Sequence, residues 1–224
     1  MSPTLPRSFK FALPFVDPSR RFDQKVKPCQ IWRSPVKTTA AQKKIRLLEA
    51  ALVRQQEKLA ALKRRAPREP VADYTLQTPD GLVSLSSLFG KKRDLIVIHN
   101  MGRQCRYCTM WADGFNGLHP HLADRAAFVV ISPDPPAVQK KFAASRGWRF
   151  PMASGQKSAF IHDMGFLPNP DEPWPGVSTF VRIRGKIFRV AKASFGPFDQ
   201  FCATWPLFAL LADGIDGWEP QYRY

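Results

Sequence analysis

Two short apolar runs separated by a helix-length segment most constrain the fold of this chain. The first run is Leu-Ile-Val-Ile at residues 95–98, with charged residues before it and Gly102 after it. The second run is Ala127–Ser132, which Pro133 ends. Continuous apolar runs of this length are typical of strands buried on both faces. Two such strands joined by a helix predict a βαβ unit and therefore a pair of parallel strands.

The connecting segment begins with a Cys-x-x-Cys pair. Apolar residues then recur at a spacing of three and four, which places them on one face of a helix. These residues are Cys108, Trp111, Ala112, Phe115 and Leu118. The pair is therefore predicted at a strand-to-helix junction, where free backbone N–H groups and the positive end of the helix dipole stabilise a thiolate. A dithiol redox site needs this geometry.

The two cysteines of the pair are expected to have different roles. Cys105 lies nearer the helix start and solvent, so it is the expected nucleophile. Cys108 lies one turn further and faces the core, so it is expected to resolve the mixed disulfide as a protonated, buried thiol. The other two cysteines, Cys29 and Cys202, are expected to stay free.

Four neighbouring residues are expected to influence the acidity of Cys105. Arg103 and Arg106 add positive charge, which lowers the pKa of a thiol. Tyr107 and Trp111 partly desolvate it, which raises the pKa, and both are candidates for supporting the site or lying on its substrate side. Trp111 is expected to belong mainly to the core. The balance predicts a pKa below the reference of about 8.5.

The charge of the chain lies mainly in its N-terminal part. The net charge is +16, and residues 1–68 carry 17 Lys and Arg against 4 Asp and Glu, whereas residues 69–224 carry 17 against 14. A basic segment can contact nucleic acid, but no aromatic-basic interleaving or groove-reading motif accompanies it. We therefore expect a solvated basic surface and no nucleic-acid partner.

Cysteine content and hydropathy predict a cytoplasmic protein. Four cysteines in 224 residues are too few for a disulfide-stapled secreted scaffold, which favours a reducing compartment. No apolar stretch approaches the length of about 18 residues that a membrane helix needs, so no membrane contact is expected. The basic, acid-poor start up to residue 21 leaves an organelle-targeting peptide as an alternative.

The N-terminal part divides into an arm and a helix. Residues 1–38 contain six prolines without sustained periodicity, which predicts an irregular basic arm. Residues 39–67 form a predicted amphipathic helix, dense in Ala, Leu, Gln, Lys and Arg. Its apolar positions follow a heptad pattern, interrupted by Gln55: Ile45, Leu48, Leu52, Leu59 and Leu62. This stripe fits either a homodimer contact or packing on the chain's own domain.

Residues 69–224 are predicted to form the folded domain. A hairpin turns at residues 79–81, a helix at 137–146 ends at Gly147, and a second hairpin pairs 177–183 with 187–191. A helix at 199–212 is expected to close the chain. Strand, helix, strand, helix, hairpin, helix is the order of a thioredoxin-type α/β fold, with a central mixed sheet flanked by helices.

From residue 40 to the C-terminus the chain resembles a bacterial thioredoxin-like family that is mostly of unknown function. The matching words are Asp-Gly-Leu-Val-Ser-Leu-Ser-Ser-Leu-Phe-Gly at 80–90, Leu-Ile-Val-Ile-His-Asn-Met at 95–101, the Cys pair, Trp-Ala-Asp-Gly-Phe-Asn at 111–116 and Arg-Gly-Trp-Arg-Phe-Pro at 146–151. The passage from 80 to the strand also resembles peroxiredoxins of the alkyl hydroperoxide reductase type. The resemblance implies dithiol–disulfide exchange with a disulfide-containing protein or a small thiol, and a thiol system as reductant.

Two departures from these families limit what the resemblance implies. Peroxiredoxins carry Pro-x-x-x-Thr/Ser-x-x-Cys, and with Cys108 aligned, Met101 and Cys105 stand at the Pro and Thr/Ser positions. This argues against a peroxidase, which stays a further alternative. Thioredoxins place a cis-proline beside the Cys pair, where this chain has Ser178. A cis bond there would cost about 2.5 to 4 kcal/mol, so substrate binding through Ser178 is only a candidate role.

Three functions therefore follow from the sequence, and dithiol redox chemistry comes first. The second is zinc binding, because thiolates and imidazoles are ligands that zinc prefers. Its candidate ligands are Cys105 and Cys108 with some of His99, His119, His121 and His162. His119 and His121 cannot share one helix face, so zinc binding stays second. For the dithiol site itself, neither a metal nor an organic cofactor is expected. The third is a thioredoxin-like interaction module with an inert pair.

Overall fold

The computed structural model describes residues 38–169 and 172–224. Residues Ala50–Tyr224 form one unit of the chain. Of the other unit, the described residues are 38–49, which contain the first turns of helix α1. The predicted irregular arm, with Cys29, lies outside the described residues up to residue 37.

Helix α1, Ala40–Arg65, forms over the range that the sequence predicts. A capping box starts it: the Thr39 hydroxyl accepts the N–H of Gln42 at 3.2 Å, and the Gln42 amide oxygen accepts the N–H of Thr39 at 2.9 Å. None of the helix residues is buried. Its large apolar side chains are all exposed: Ile45, Leu47, Leu48, Leu52, Val53, Leu59 and Leu62. The role of this stripe stays a prediction.

The described residues after α1 contain eight strands and four further helices. The strands are β1 Glu69–Val71, β2 Thr75–Thr78, β3 Gly81–Ser84, β4 Asp94–His99, β5 Ala127–Ser132, β6 Met152–Ser154, β7 Gly176–Ile183 and β8 Lys186–Ser194. The helices are α2 Arg106–Arg125, α3 Pro136–Arg146, α4 Phe160–Asp163 and α5 Thr204–Phe208. The strands form one sheet in the order β1-β8-β7-β4-β5-β6-β2-β3.

The centre of the sheet contains the predicted βαβ unit. Strands β4 and β5 are parallel and are joined by α2. Strand β7 pairs antiparallel with β4, and β8 pairs antiparallel with β7. The order β5-β4-β7-β8, with a helix between the two parallel strands, is the thioredoxin-type arrangement. The predicted mixed α/β fold is confirmed.

Strand β4 separates two hydrophobic cores because successive side chains point to opposite faces of a sheet. Leu95 and Val97 belong to the core on one face. Ile98 belongs to the core on the other face, where α2 contributes Trp111 and Phe115. Helix α2 therefore covers one face of the sheet and begins at the carboxyl end of β4. The sequence pattern places the Cys pair at this junction.

Two sequence predictions about helices are wrong, one in the extent of a helix and one in the burial of a residue. The closing helix was expected over residues 199–212, but only α5, Thr204–Phe208, is helical. Before it, the Asp199 carboxylate accepts the N–H groups of Phe201 at 2.7 Å and Cys202 at 3.1 Å, which holds a turn. After it, Leu210 and Leu211 are exposed, so a longer helix would bury no apolar face. Leu118, expected on the buried face of α2, is also exposed.

Length and apolar character rule out a transmembrane role for every helix in the described part of the chain.

Candidate functional site

The Cys pair occupies the N-terminus of α2. Cys105 is the N-cap residue, with an extended backbone, and Cys108 lies in the first turn. The sulfur of Cys105 accepts the backbone N–H of Cys108 at 3.0 Å. It thus takes the position that a Ser or Asp oxygen fills in most capped helices. The bond satisfies one free N–H group and holds the sulfur at the positive end of the helix dipole.

The two sulfurs differ in exposure. Cys105 is half-buried, whereas Cys108 is 2% exposed. The Cys108 sulfur lies 3.5 Å from the backbone N–H of Met101, which donates towards it from the loop after β4. Both thiols are free. Cys105 is therefore the sulfur that an approaching molecule meets first, and Cys108 lies behind it.

The two cysteines differ in acidity because each shifts the pKa of the other. The pKa of Cys105 is lowered to about 7, because the Cys108 thiol donates a hydrogen bond to its sulfur and the N–H groups of Cys108 and Tyr107 stabilise the anion. Partial burial opposes this. The pKa of Cys108 is raised by the same hydrogen bond, by burial and by the negative charge of Cys105. Near neutral pH, the thiolate is on Cys105 and the proton on Cys108.

The two arginines expected to lower the pKa of Cys105 differ in their contacts. Arg106 lies between the two cysteines in sequence and forms an ion pair. Its guanidinium pairs with Glu219 at 2.8 Å. Arg103 donates its backbone N–H to the Asp134 carboxylate at 2.7 Å, and its side chain is exposed. The hydrogen bonds from Cys108 and the backbone account for the lowered pKa of Cys105. A contribution from the arginines stays a prediction.

Tyr107 and Trp111 extend from the first turns of α2 into an aromatic cluster. Trp111 is 3% exposed, as expected for a core residue. Tyr107 is half-buried, with its ring centroid 6.3 Å from that of Trp111 and 6.1 Å from that of Trp205. Burial raises the pKa of Tyr107, and the charge of Glu219 adds to this. Tyr107 therefore packs with the aromatic residues beside the pair, and a supporting or substrate-side role for it stays a prediction.

Ser178 lies in the core and contacts His99. Its hydroxyl is 2.9 Å from Nε2 of His99, and neither side chain is exposed. The His99 ring stacks on Phe166 at 3.8 Å between centroids, and burial lowers its pKa to about 3, so the ring is neutral. No cis peptide bond occurs in the described ranges. The Ser178 side chain thus braces the core.

The other histidines are spread over the domain. His119 packs edge-on against Phe128 at 5.7 Å, His121 is exposed, and His162 pairs with Asp163 at 2.9 Å. Within residues 38–169 and 172–224, no three His, Cys, Asp or Glu side chains are placed to hold one metal ion. The zinc alternative has no donor set in this part of the chain.

The sequence analysis missed a residue that braces the loop between β4 and the pair. Asn100 is buried, and its side-chain oxygen accepts the N–H of Gly102 at 2.8 Å. Its amide nitrogen lies 3.5 Å from the Cys108 carbonyl oxygen, to which it donates. An Asn two residues before a Gly at the end of a strand is a turn signal that could have identified it, because an Asn side chain can accept the backbone N–H two residues further on.

The C-terminal segment forms one border of the site, which the sequence did not indicate. Glu219 reaches Arg106 inside the motif, and the Tyr222 carbonyl accepts a hydrogen bond from Arg146 at 2.6 Å. Burial raises the pKa of Tyr222, and the negative charge of Cys105 raises it further. Tyr222 therefore lies close enough to the thiolate to sense its charge. Such a contact depends on the tertiary fold and leaves no local signal.

Several solved structures are similar to this chain. Peroxidoxin BcpB of Mycobacterium tuberculosis is 26% identical, with a TM-score of 0.45 over 57% of this chain and 84% of that one. The bacterioferritin comigratory protein of Xanthomonas campestris is 19% identical, with a TM-score of 0.42 over 54% and 79%. Reduced Prx3 of Vibrio vulnificus is 13% identical, with a TM-score of 0.48 over 62% and 93%.

A protein-family model matches most of the chain. The comparison with curated proteins gives no match. The model described as "Bacterial protein of unknown function (DUF899)" matches residues 32–221, which is most of the chain. This agrees with the resemblance to a bacterial family of mostly unknown function. The protein therefore belongs to the bacterial family of unknown function DUF899.

Proposed function

We propose that this protein is a thiol–disulfide oxidoreductase in which Cys105 is the nucleophile and Cys108 the resolving thiol. One observation carries the proposal: the Cys105 sulfur caps α2 through the N–H of Cys108 at 3.0 Å, and its pKa is lowered to about 7. A thiol with a pKa near ambient pH combines a large thiolate fraction with high nucleophilicity.

The reaction proceeds in two exchange steps. The Cys105 thiolate attacks one sulfur of a substrate disulfide, a new S–S bond forms, and the other substrate sulfur leaves as a thiolate and takes a proton from solvent. Cys108 then loses its proton and attacks the Cys105 sulfur, which releases the second substrate thiol. The substrate disulfide gains two electrons and becomes two thiols, while the pair becomes a disulfide. A dithiol reductant reverses the change in the pair.

The geometry also favours the second step. In the reduced pair, the hydrogen bond to Cys105 and the charge of Cys105 help to hold the proton on Cys108. Both influences end once Cys105 is bound to substrate, because its sulfur then carries no charge. The N–H of Met101, 3.5 Å from the Cys108 sulfur, remains and stabilises the anion. Formation of the mixed disulfide therefore activates the resolving thiol.

A redox titration with peptide mapping tests the proposal. Equilibration in dithiol buffers of graded potential should give one two-electron transition and a Cys105–Cys108 disulfide, with Cys202 free. A Cys202→Ser variant, which removes a thiol from the core beside α5, should titrate alike. Replacement of Cys105 by Ser should abolish exchange. A dominant bridge to another cysteine, or a tightly bound zinc ion in stoichiometric amount that resists exchange, would contradict the proposal.

A further inference from the structure

We propose that the disulfide accepted at Cys105 carries a carboxylate a few bonds from the attacked sulfur, bound by Arg103 and Lys141. This inference rests on the proposed function, whose substrate class it specifies. A groove opens beside the Cys pair, and it has a positive charge and an apolar wall.

The groove consists of two adjoining cavities next to the loop that precedes Cys105. One has a volume of about 310 Å³ and is lined by Arg103, Gln104, Phe142 and Tyr222. The other, of about 380 Å³, is lined by Arg103, Ala137, Val138, Lys141, Phe142 and Ser145. Arg103 and Phe142 line both. Gln104 is bonded directly to Cys105, so a group bound here lies only a short chain away from the reactive sulfur.

Positive charge dominates the groove. Its lining residues include Arg103 and Lys141 and no Asp or Glu. Among the residues that the structure describes, neither side chain has a hydrogen bond or an ion pair. The contrast with neighbouring arginines is direct, because Arg106 pairs with Glu219 and Arg146 with Asp113. Asp134, in the loop between β5 and α3, accepts the backbone N–H of Arg103. Two cations therefore remain available to an anion from outside.

Most of the remaining wall of the groove is apolar, and Gln104 and Ser145 are its uncharged polar residues. The rings of Phe142 and Tyr222 meet edge to face, with centroids 6.4 Å apart and an interplanar angle of 84°. The Tyr222 carbonyl is held by Arg146, which also pairs with Asp113 of α2. A short carbon chain can pack on this wall while its carboxylate reaches Arg103 or Lys141. The groove thus matches a disulfide whose sulfur and carboxylate are joined by a short apolar spacer.

A matched pair of substrates tests the charge preference. 3,3′-Dithiodipropionate and cystamine carry a carboxylate or an ammonium at the end of the same two-carbon spacer. Reaction of the reduced full chain with each is followed by mass spectrometry. For each disulfide, the rate constant of the protein is divided by the rate constant at which a small free thiol reacts with the same disulfide. This removes the difference in leaving-group acidity between the two compounds. The anionic-to-cationic ratio should exceed one. A changed Cys105 pKa alters both rate constants alike and leaves this ratio unchanged.

Variants at the groove locate the preference. Arg103→Gln and Lys141→Gln should each lower the ratio by about fivefold, since each removes one attractive charge near the carboxylate. Arg103→Lys should retain most of it. Lys140→Gln removes the same charge from an exposed position of α3 outside the groove lining, and it should leave the ratio unchanged. An equal decrease in Lys140→Gln would overturn the proposal, because the general field of a basic chain would then explain the preference.

Other outcomes separate this inference from the proposed function. If the wild-type protein exchanges with both disulfides at a ratio near one, the proposed carboxylate preference of the groove is wrong, whereas the proposed oxidoreductase function stands. Wild-type protein that exchanges with neither would overturn both. Disulfide peptides flanked by Glu or Lys distinguish the source of the carboxylate. A Glu preference indicates a protein substrate, and a preference confined to the small compounds indicates a small disulfide. Either outcome supports the carboxylate chemistry.

Discussion

Cys105 caps the helix that contains its own partner: its sulfur accepts the N–H of Cys108 at 3.0 Å, and the Cys108 thiol donates to the same sulfur. The backbone bond needs only the helix start. The hydrogen bond from the thiol needs both cysteines. It lowers the pKa of Cys105 and raises the pKa of Cys108. The pair therefore behaves as one titrating unit with a single proton in the neutral range.

Alkylation rates report the acidity of Cys105. In the reduced protein, the pH profile of alkylation at Cys105 should have a midpoint of about 7. Cys108→Ala removes the hydrogen bond that lowers the Cys105 pKa most, and it should move the midpoint up towards the reference value of an ordinary thiol. Cys202→Ala is the control and should leave the profile unchanged. A midpoint that does not move in Cys108→Ala would show that the helix start alone sets the acidity.

Stability of the reduced protein should pass through a maximum. The Cys105 pKa falls from 9.0 in the unfolded chain to about 7, so its contribution is complete above 9.0 and is lost as pH falls towards 7. The Cys108 pKa is raised from 9.0, so its contribution is present below 9.0 and is lost as pH rises beyond it. The free energy of unfolding should therefore increase from about pH 7 to about pH 9 and then decrease.

Urea unfolding over this range checks the maximum. The profile of a Cys105→Ser, Cys108→Ser double variant is subtracted, which removes the contributions of other titrating groups. A difference that decreases steadily between pH 7 and 9 would contradict the acidity assigned to Cys105.

The ion pair across the motif gives opposite effects from its two partners. Arg106→Gln removes a positive charge near Cys105 and leaves Glu219 unpaired, so the Cys105 pKa should rise. Glu219→Gln leaves the arginine unpaired, so the pKa should fall. Because both side chains are exposed, each change should alter stability by less than about 1 kcal/mol. Alkylation profiles measure both shifts, and equal shifts in one direction would show that neither charge acts on the thiolate.

The sequence was sufficient for the local features of the site. The apolar run of β4 and the spacing after Cys105 specify a buried strand followed by a helix, so the position of the pair followed from periodicity alone. The border of the site did not follow. Glu219 and Asp134 are distant from the pair in sequence and reach it only through the tertiary fold. The sequence predicted Arg106 as an added positive charge near Cys105. Its partner Glu219 is 113 residues away, and no local pattern in the sequence indicates that the two residues pair.

Asn100 should be more important for stability than its distance from the sulfurs suggests. Asn100→Ala leaves the N–H of Gly102 without an acceptor in a buried loop, which should cost about 1 to 3 kcal/mol. Asn116→Ala is a matched control, because Asn116 is half-buried and also accepts a backbone N–H, that of Arg149 at 2.8 Å, in a hydrogen bond that solvent reaches and water can replace. Urea unfolding of both variants should show the larger loss for Asn100. Equal losses of stability would show that burial of the Gly102 N–H adds nothing to the effect of removing an Asn side chain.

Two glycines near the pair should respond to alanine in opposite directions. Gly102 has a φ of +104°, and a Cβ there would lie 3.0 Å from the Asp134 carboxylate that accepts the Arg103 N–H. Gly102→Ala should therefore destabilise the protein by about 1 to 3 kcal/mol and displace the loop that carries Cys105. Gly114 lies inside α2, where a Cβ would meet nothing within 4 Å. Gly114→Ala should stabilise by about 0.5 to 1 kcal/mol through helix propensity alone.

The displaced loop gives Gly102→Ala a second readout. Cys108 receives the N–H of Met101, the residue directly before Gly102, and in the proposed mechanism this bond stabilises the Cys108 thiolate during resolution. Loss of that bond should slow the second exchange step, so a mixed disulfide with a small thiol should persist longer in Gly102→Ala than in Gly114→Ala. Mass spectrometry after rapid acid quench measures its lifetime. An unchanged lifetime, together with the expected loss of stability, would remove the Met101 N–H from the resolving step and leave it a structural contact.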